Sequence, residues 1–179
     1  EMTCGQRLTY NYIRIGGVSR DIPAEFVPKC REAIKIIGEK VLEYEALLNG
    51  NPIWKARTIG IGHLPKQLAI DYAVSGPILR AAGVDFDLRR DDPYSIYDRF
   101  DFEIPVRHNS DVFDRYMLRL DEIKQSIKII SQALDGLPEG DITAKVPMKF
   151  KPPAGEVYSR IENSRGEMGV YILSDGSEK

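Results

Sequence analysis

The sequence has 179 residues, 42% of them hydrophobic and 29% charged, with a formal net charge of −2. That is the length and balance of one domain, or of a large piece of one, able to bury a core. The near-zero charge offers no electrostatic case for nucleic acid, and no apolar run approaches the ~20 residues that span a bilayer.

In chain order, residues 1–12 fit the last turns of a helix, and the pair Gly16-Gly17 reads as its C-cap and turn. Cys4 and Cys30 lie outside any CxxC or zinc spacing and read as ordinary thiols of a reducing compartment. No leader is visible before Cys4, and both ends read as those of a segment trimmed from a longer protein. Asp21 and Pro23 announce a helix. Val27, Cys30, Ile34, Ile37, Val41, Tyr44 and Leu48 then recur at steps of three and four, which predicts one amphipathic helix over 24–48 with this stripe in the core. Asn49-Gly50-Asn51-Pro52 stops it. A short helix follows over 53–58. Gly60-x-Gly62 lacks the third glycine and the strand–turn–helix setting of a dinucleotide fingerprint. His63 and His108, each without a second ligand nearby, read as structural or surface residues. Another short helix covers 65–72, and Ser75 can cap the next.

From Ser75 to Arg115 the chain carries nine carboxylates and six arginines but no lysine. Arginine alone, interleaved with Phe86, Tyr94, Tyr97, Phe100 and Phe102, points to planar bidentate ion pairs in a partly buried network. Such networks fix geometry more than they add stability. Residues 101–106 alternate like a half-buried strand, with Pro105 placing it at an edge. Asn109 or Ser110 caps a second long helix over 110–135, with Asp111 in its first turn. Its stripe is Phe113, Tyr116, Met117, Leu120, Ile123, Ile127, Ile130 and Leu134. Four prolines make 138–154 a loop. Residues 156–162 and 167–173 read as a hairpin about Asn163-Ser164-Arg165-Gly166.

No catalytic set emerges. There is no HExxH, P-loop or zinc spacing and no supported Ser/His/Asp order. The carboxylates sit among arginines, which suits structure better than acid catalysis.

The ordered run Gly5, Arg7, Tyr12-Ile13-Arg14, Gly16-Gly17-Val18; Asn51, Ile53, Arg57-Thr58, Gly60, Gly62; Ser75-Gly76-Pro77, Leu79-Arg80, Gly83, Asp87-Leu88-Arg89, Pro93-Tyr94, Tyr97-Asp98 and Phe102-Glu103-Ile104-Pro105-Val106 closely resembles the 49-kDa-type subunit of respiratory complex I. The likeness continues through Asp111, Asp114-Arg115-Tyr116, Arg119, Glu122 and Gln125-Ser126, and then through Gly155, Tyr158, Glu162, Gly166-Glu167 and Gly169-Val170-Tyr171 to Ser174-Asp175-Gly176. That family is related to the large subunits of nickel–iron hydrogenases.

The resemblance implies a subunit of a proton-translocating NADH:quinone oxidoreductase. It would sit peripherally on the cytoplasmic side of a bacterial inner membrane, or the organelle-matrix equivalent. Its partners would be the iron–sulfur subunit with the terminal cluster, the neighbouring peripheral-arm and membrane subunits, and quinone. It implies no cofactor held by this segment itself. By resemblance, Arg14, Gly16 and Gly17 lie near the cluster and the quinone chamber. Arg80, Asp87, Arg89, Asp98, Asp114 and Arg115 belong to a structural ion-pair network or subunit interface. The family's quinone-head-group residues lie upstream of Glu1. Two other readings stay open: a membrane-bound hydrogenase-type large subunit, distinguished by CxxC pairs outside this region, and a non-catalytic interaction module.

The fold class expected is mainly α with some β (α+β). Two long helices form a bundle with a small antiparallel hairpin and an edge strand, in a hydrogenase-large-subunit-like arrangement. A helical core over 1–137, a Pro-rich loop over 138–154 and the hairpin over 155–179 would make one domain.

Overall fold

The computed structural model describes residues 1–147 and 151–177. These form six α-helices, one 3-10 turn and two two-stranded antiparallel sheets. The elements run β1 (Ile13–Arg14), β2 (Gly17–Val18), α1 (Phe26–Asn49), α2 (Pro52–Thr58), α3 (Lys66–Asp71), α4 (Gly76–Ala81), α5 (Leu88–Asp91), α6 (Val112–Asp135), β3 (Gly155–Asn163) and β4 (Gly166–Ser174). Among the described residues no helix is long and apolar enough to cross a membrane.

The two long helices lie where the apolar periodicity placed them, and they pack antiparallel. Arg31, near the start of α1, pairs with Asp135 at the end of α6 at 2.6 Å, and Glu45 near the end of α1 takes Lys124 at 2.7 Å. Ile34 and Val41 of α1 and Leu118, Leu120, Ile129 and Leu134 of α6 are buried. Asn51 caps α2 by accepting from the backbone N–H groups of Ile53 and Trp54, which delivers Trp54 edge-on to Tyr116 of α6 at 5.4 Å. Between α3 and α4, Ala69, Leu79 and Ala82 form a small core with Leu64, Val74, Val84 and Phe86.

Several elements differ from the sequence expectation. Residues 1–12 are turns, not a helix: Gly5 and Thr9 both take left-handed backbone (φ 69° and 56°), which a right-handed helix cannot continue. Gly16-Gly17 is not a C-cap. Ile15 and Gly16 make the tight turn between β1 and β2, and the chain itself closes over the glycines. Val18 N–H donates to the Ile142 carbonyl at 3.0 Å and Ala144 N–H to the Gly16 carbonyl at 2.8 Å. A Cβ on Gly17 would fall 2.2 Å from the Ile142 oxygen. The first part of the Pro-rich segment is therefore laid along the small hairpin.

Residues 101–106 are extended but form no strand. Side chains of α6 replace the missing partner. Asp101 N–H donates to Gln132 Oε1, Gln132 Nε2 donates back to the Asp101 carbonyl, and Glu103 N–H donates to Gln125 Oε1. The cap of α6 is Asp111, not Asn109 or Ser110; its carboxylate accepts from Asp114 N–H at 2.8 Å. The α1 stripe is only partly covered, because α6 and α2 reach one side of it. Ile37 and Tyr44 are about half exposed and Cys30 is half-buried.

Candidate functional site

The shortest helices build the most buried polar site. α4 is wedged between α6 and β4, and Gly76, Pro77, Leu79, Arg80 and Ala81 are all buried. Gly76 (φ 67°) makes the wedge possible, since a Cβ there would lie 2.3 Å from Gly166 Cα at the start of β4. Ser75 occupies the N-cap position of α4 but does not cap it. Its hydroxyl accepts from Glu167 N–H at 2.9 Å, fastening the hairpin to the helix.

This junction drives Arg80, 1% exposed, into a cluster of carboxylates from three other segments. Arg80 Nε and Nη2 donate to Glu122 Oε1 of α6 at 3.0 and 2.5 Å. Its Nη1 reaches Glu162 Oε1 of β3 at 2.9 Å, Asp87 Oδ2 at 3.0 Å and the Phe86 carbonyl at 3.1 Å. Asp87, fully buried, caps α5 through Arg89 N–H and holds the Arg89 guanidinium in a two-point pair at 2.9 and 2.6 Å. Arg89 in turn lies over the Phe102 ring, 5.3 Å from its centre. Tyr94 OH closes one side, donating to the Glu162 carbonyl and accepting from Glu162 N–H.

Two guanidiniums thus face three carboxylates. Burial pushes the Glu122 carboxyl above the ordinary carboxylate range, against the pull of Arg80. Burial works to lower Arg89, and the Asp87 hydrogen bond and charge overcome it, so its pKa is raised. Burial also raises Tyr94. Farther out, Arg90 pairs with Asp91 and Asp85, which raises Arg90 and lowers Asp91. Arg160 of β3 holds Asp92. A cleft of about 450 Å³ opens on the cluster, lined by Arg80, Arg89, Tyr97, Arg119, Glu122 and Glu162 among others.

Of the residues singled out in the sequence, Arg80, Asp87 and Arg89 meet here. Asp98 stands apart: it is exposed, and no ion pair or hydrogen bond of its side chain occurs among the described residues. Among the described residues Asp114 and Arg115 are not paired with opposite charges either. Asp114, 4% exposed, accepts from the backbone of His108 and Asn109 and from the Asn109 amide. Arg115 donates to the carbonyls of Ser110 and Gly62. Together they tie two loops to the first turn of α6. Glu122 and Glu162, which complete the cluster, lie outside the 75–115 stretch. Both positions take part in the family likeness, but nothing in residue type or spacing ties them to Arg80.

A second feature is the β1–β2 hairpin. Arg14 is exposed on it, and around it Leu8, Tyr10, Ile13 and Ile15 are 71–82% exposed. Among the described residues no group of three or more His, Cys, Asp or Glu is placed to hold a metal ion. Cys4 gives its hydrogen bond to the Gln6 carbonyl. The donor set does not fit an iron–sulfur cluster ligated by the described residues of this chain.

Comparison with known proteins gives this geometry a family. The sequence matches the family described as respiratory-chain NADH dehydrogenase, 49 Kd subunit, over residues 1–150 and 143–179. It is 51% identical to the NADH-quinone oxidoreductase D subunit of Dehalococcoides mccartyi across all of this chain and 49% of that one. It is 49% identical to the D subunit of Clostridium beijerinckii, again across the whole chain and 48% of the relative. With a D subunit of a Roseiflexus species the identity is 43%, covering 50% of that relative. The chain spans about half the length of the curated relatives it matches. The chain belongs to the 49-kDa subunit family of the respiratory-chain NADH dehydrogenase.

Proposed function

We propose that this chain is the middle and C-terminal part of the quinone-reducing, peripheral-arm subunit of a proton-translocating NADH:quinone oxidoreductase. In this reading the scaffold is hydrogenase-large-subunit-like, and the helical core, Pro-rich segment and hairpin form one domain. Electrons come from an iron–sulfur cluster held by a neighbouring subunit and pass to quinone in a chamber between the two. The buried Arg80 cluster then serves as scaffold, holding the walls of that chamber in register. The subunit sits on the cytoplasmic or matrix face, against the other peripheral-arm and membrane subunits.

The observation that carries this reading is the β1–β2 hairpin. A free-standing domain gains nothing from four large apolar side chains left more than two-thirds exposed around a solvent-facing arginine. A hairpin seated in a partner, with Arg14 presented to a cluster and a quinone chamber, accounts for both. The test is Arg14→Ala in the assembled enzyme. The expected result is a fall in NADH:quinone activity of tenfold or so, the effect of ~1.4 kcal/mol of lost transition-state stabilisation. Electron transfer from NADH to an artificial acceptor ahead of the quinone should be unchanged. Wild-type quinone reduction in the variant overturns the role given to Arg14.

A further inference from the structure

The Arg80 cluster has more negative groups than its buried cations neutralise. Asp87 uses both of its oxygens on Arg89 and also touches Arg80. Arg80 divides one guanidinium among Asp87, Glu122, Glu162 and the Phe86 carbonyl. Two charges shared by three carboxylates leave one negative charge uncompensated in a largely dry site, which is costly enough that such a group takes a proton instead. The three acids are not equivalent. Asp87 is fully buried and held at two points, and Glu162 is 5% exposed in its side chain. Glu122 is the most open of the three, at 17%, and lines the cleft. Both hydrogen bonds from Arg80 converge on its Oε1, and Oε2 accepts none from the described residues.

We propose that Glu122 is a proton-binding site: the cluster takes up one proton on Glu122 Oε2 from the cleft and releases it there, with Asp87 and Glu162 remaining ionised. The uptake balances the site, giving two cations, two carboxylates and one neutral acid. The groups facing Glu122 come from every element around it. They are Arg80 of α4, Asp87 and Arg89 at α5, Glu162 of β3, Tyr97 of the 3-10 turn, and Arg119 of α6 itself. Arg119 is the one cation at the cleft mouth not paired with a carboxylate among the described residues; its guanidinium reaches the Ser164 carbonyl at 3.4 Å. It belongs to the solvated rim rather than to the buried sum. The upward displacement of the Glu122 pKa by burial agrees with this assignment.

The test is covalent labelling of the full-length subunit, purified with its partners, by an apolar carbodiimide. The protonated carboxyl adds across the carbodiimide: its proton goes to nitrogen and its oxygen bonds the central carbon. Rearrangement leaves a stable N-acylurea that peptide mass spectrometry locates. The expected result is a label on Glu122 whose pH midpoint lies above the ordinary glutamate value of about 4.3, no label on Asp87 or Glu162 in that range, and loss of the label in Glu122→Gln. A label on Glu162 or Asp87 instead, or a Glu122 label with an ordinary midpoint, overturns the proposal. Assembly gives an independent readout. Glu122→Gln keeps the neutral, hydrogen-bonding form and should assemble like wild type. If Glu122→Gln fails to assemble while Glu122→Asp succeeds, the site requires a charge and the proposal is wrong. None of these readouts depends on quinone reduction.

Discussion

Arg80 is the residue on which the geometry of the buried cluster depends. A fully buried guanidinium with four acceptors cannot be replaced by lysine, whose ammonium is a point charge without the planar fork. Truncation leaves Asp87, Glu122 and Glu162 facing one another with only Arg89 among them. Breaking a buried pair from one side typically costs about 3–5 kcal/mol. Arg80→Leu is therefore expected to lower stability by that amount in chemical denaturation, and Arg80→Lys to recover only a minor share. Glu122 makes a different expectation, in pH rather than in size. Its folded carboxyl holds its proton to a higher pH than the unfolded chain does. Over that interval the native state binds more protons, so its contribution is complete below the unfolded value of about 4.3 and is lost as pH rises through the raised folded value. Glu122→Gln cannot titrate, so its stability should fall less steeply than wild type across that window. Parallel slopes in urea titrations at a series of pH values would remove Glu122 as the cause.

At the scale of elements, the junction of α4 with the β3–β4 hairpin decides where the cluster forms. Gly166 (φ 131°) presses its backbone against Ser75; a Cβ there would lie 2.5 Å from Ser75 Oγ and 2.9 Å from Ser75 backbone atoms. Gly166→Ala should therefore force the hairpin off α4 and carry Glu162 away from Arg80. Ser75→Ala removes only the hydrogen bond to Glu167 N–H, worth about 1 kcal/mol. Hydrogen exchange should show faster opening of β3 and β4 in both variants, more in Gly166→Ala, with α1 and α6 protected as before. The same junction shows what the sequence can convey. The long helices and the hairpin are legible because their periods of 3.6 and 2 repeat over many residues. The arginine–carboxylate richness of 75–115 announces a buried network, but by residue type it does not separate Arg80, Asp87 and Arg89 from Asp98, Asp114 and Arg115. Ser75 misleads because a serine before a helix start looks like a cap whatever its hydroxyl meets. Residues 101–106 mislead because alternation specifies two faces but not a partner, and here Gln125 and Gln132 fill that place. Glu122 and Glu162 enter the family likeness, but their place in the cluster is not legible, because only the fold brings residues 40 and more positions from Arg80 to its guanidinium.

At the scale of the molecule, what is left uncovered is as ordered as what is buried. Register places Val157, Ser159 and Ile161 of β3 beside Ile172, Val170 and Met168 of β4 on one face of the hairpin. The opposite face carries Glu162 to the Arg80 cluster and Arg160 to Asp92. The apolar face points away from that anchor, and its five large side chains are 41–56% exposed. On α1, Ile36, Ile37, Tyr44 and Leu47 fall on one side of the helix and form a second uncovered strip. A two-stranded hairpin is marginal by itself and ordinarily needs a further layer on such a face. A contiguous apolar surface of this kind favours association. The 179-residue chain by itself should therefore self-associate with rising concentration in sedimentation velocity. Val170→Lys combined with Ile172→Lys should shift it toward monomer. Because both positions are half exposed, each substitution should change the unfolding free energy by no more than about 0.5 kcal/mol, so loss of association and loss of fold are separable in the same sample. A double variant that associates like wild type would show that the hairpin face is not the adhesive surface and would leave the α1 strip to be tested the same way through Ile37→Lys and Leu47→Lys; a chain that stays monomeric at every concentration would overturn the expectation for both surfaces.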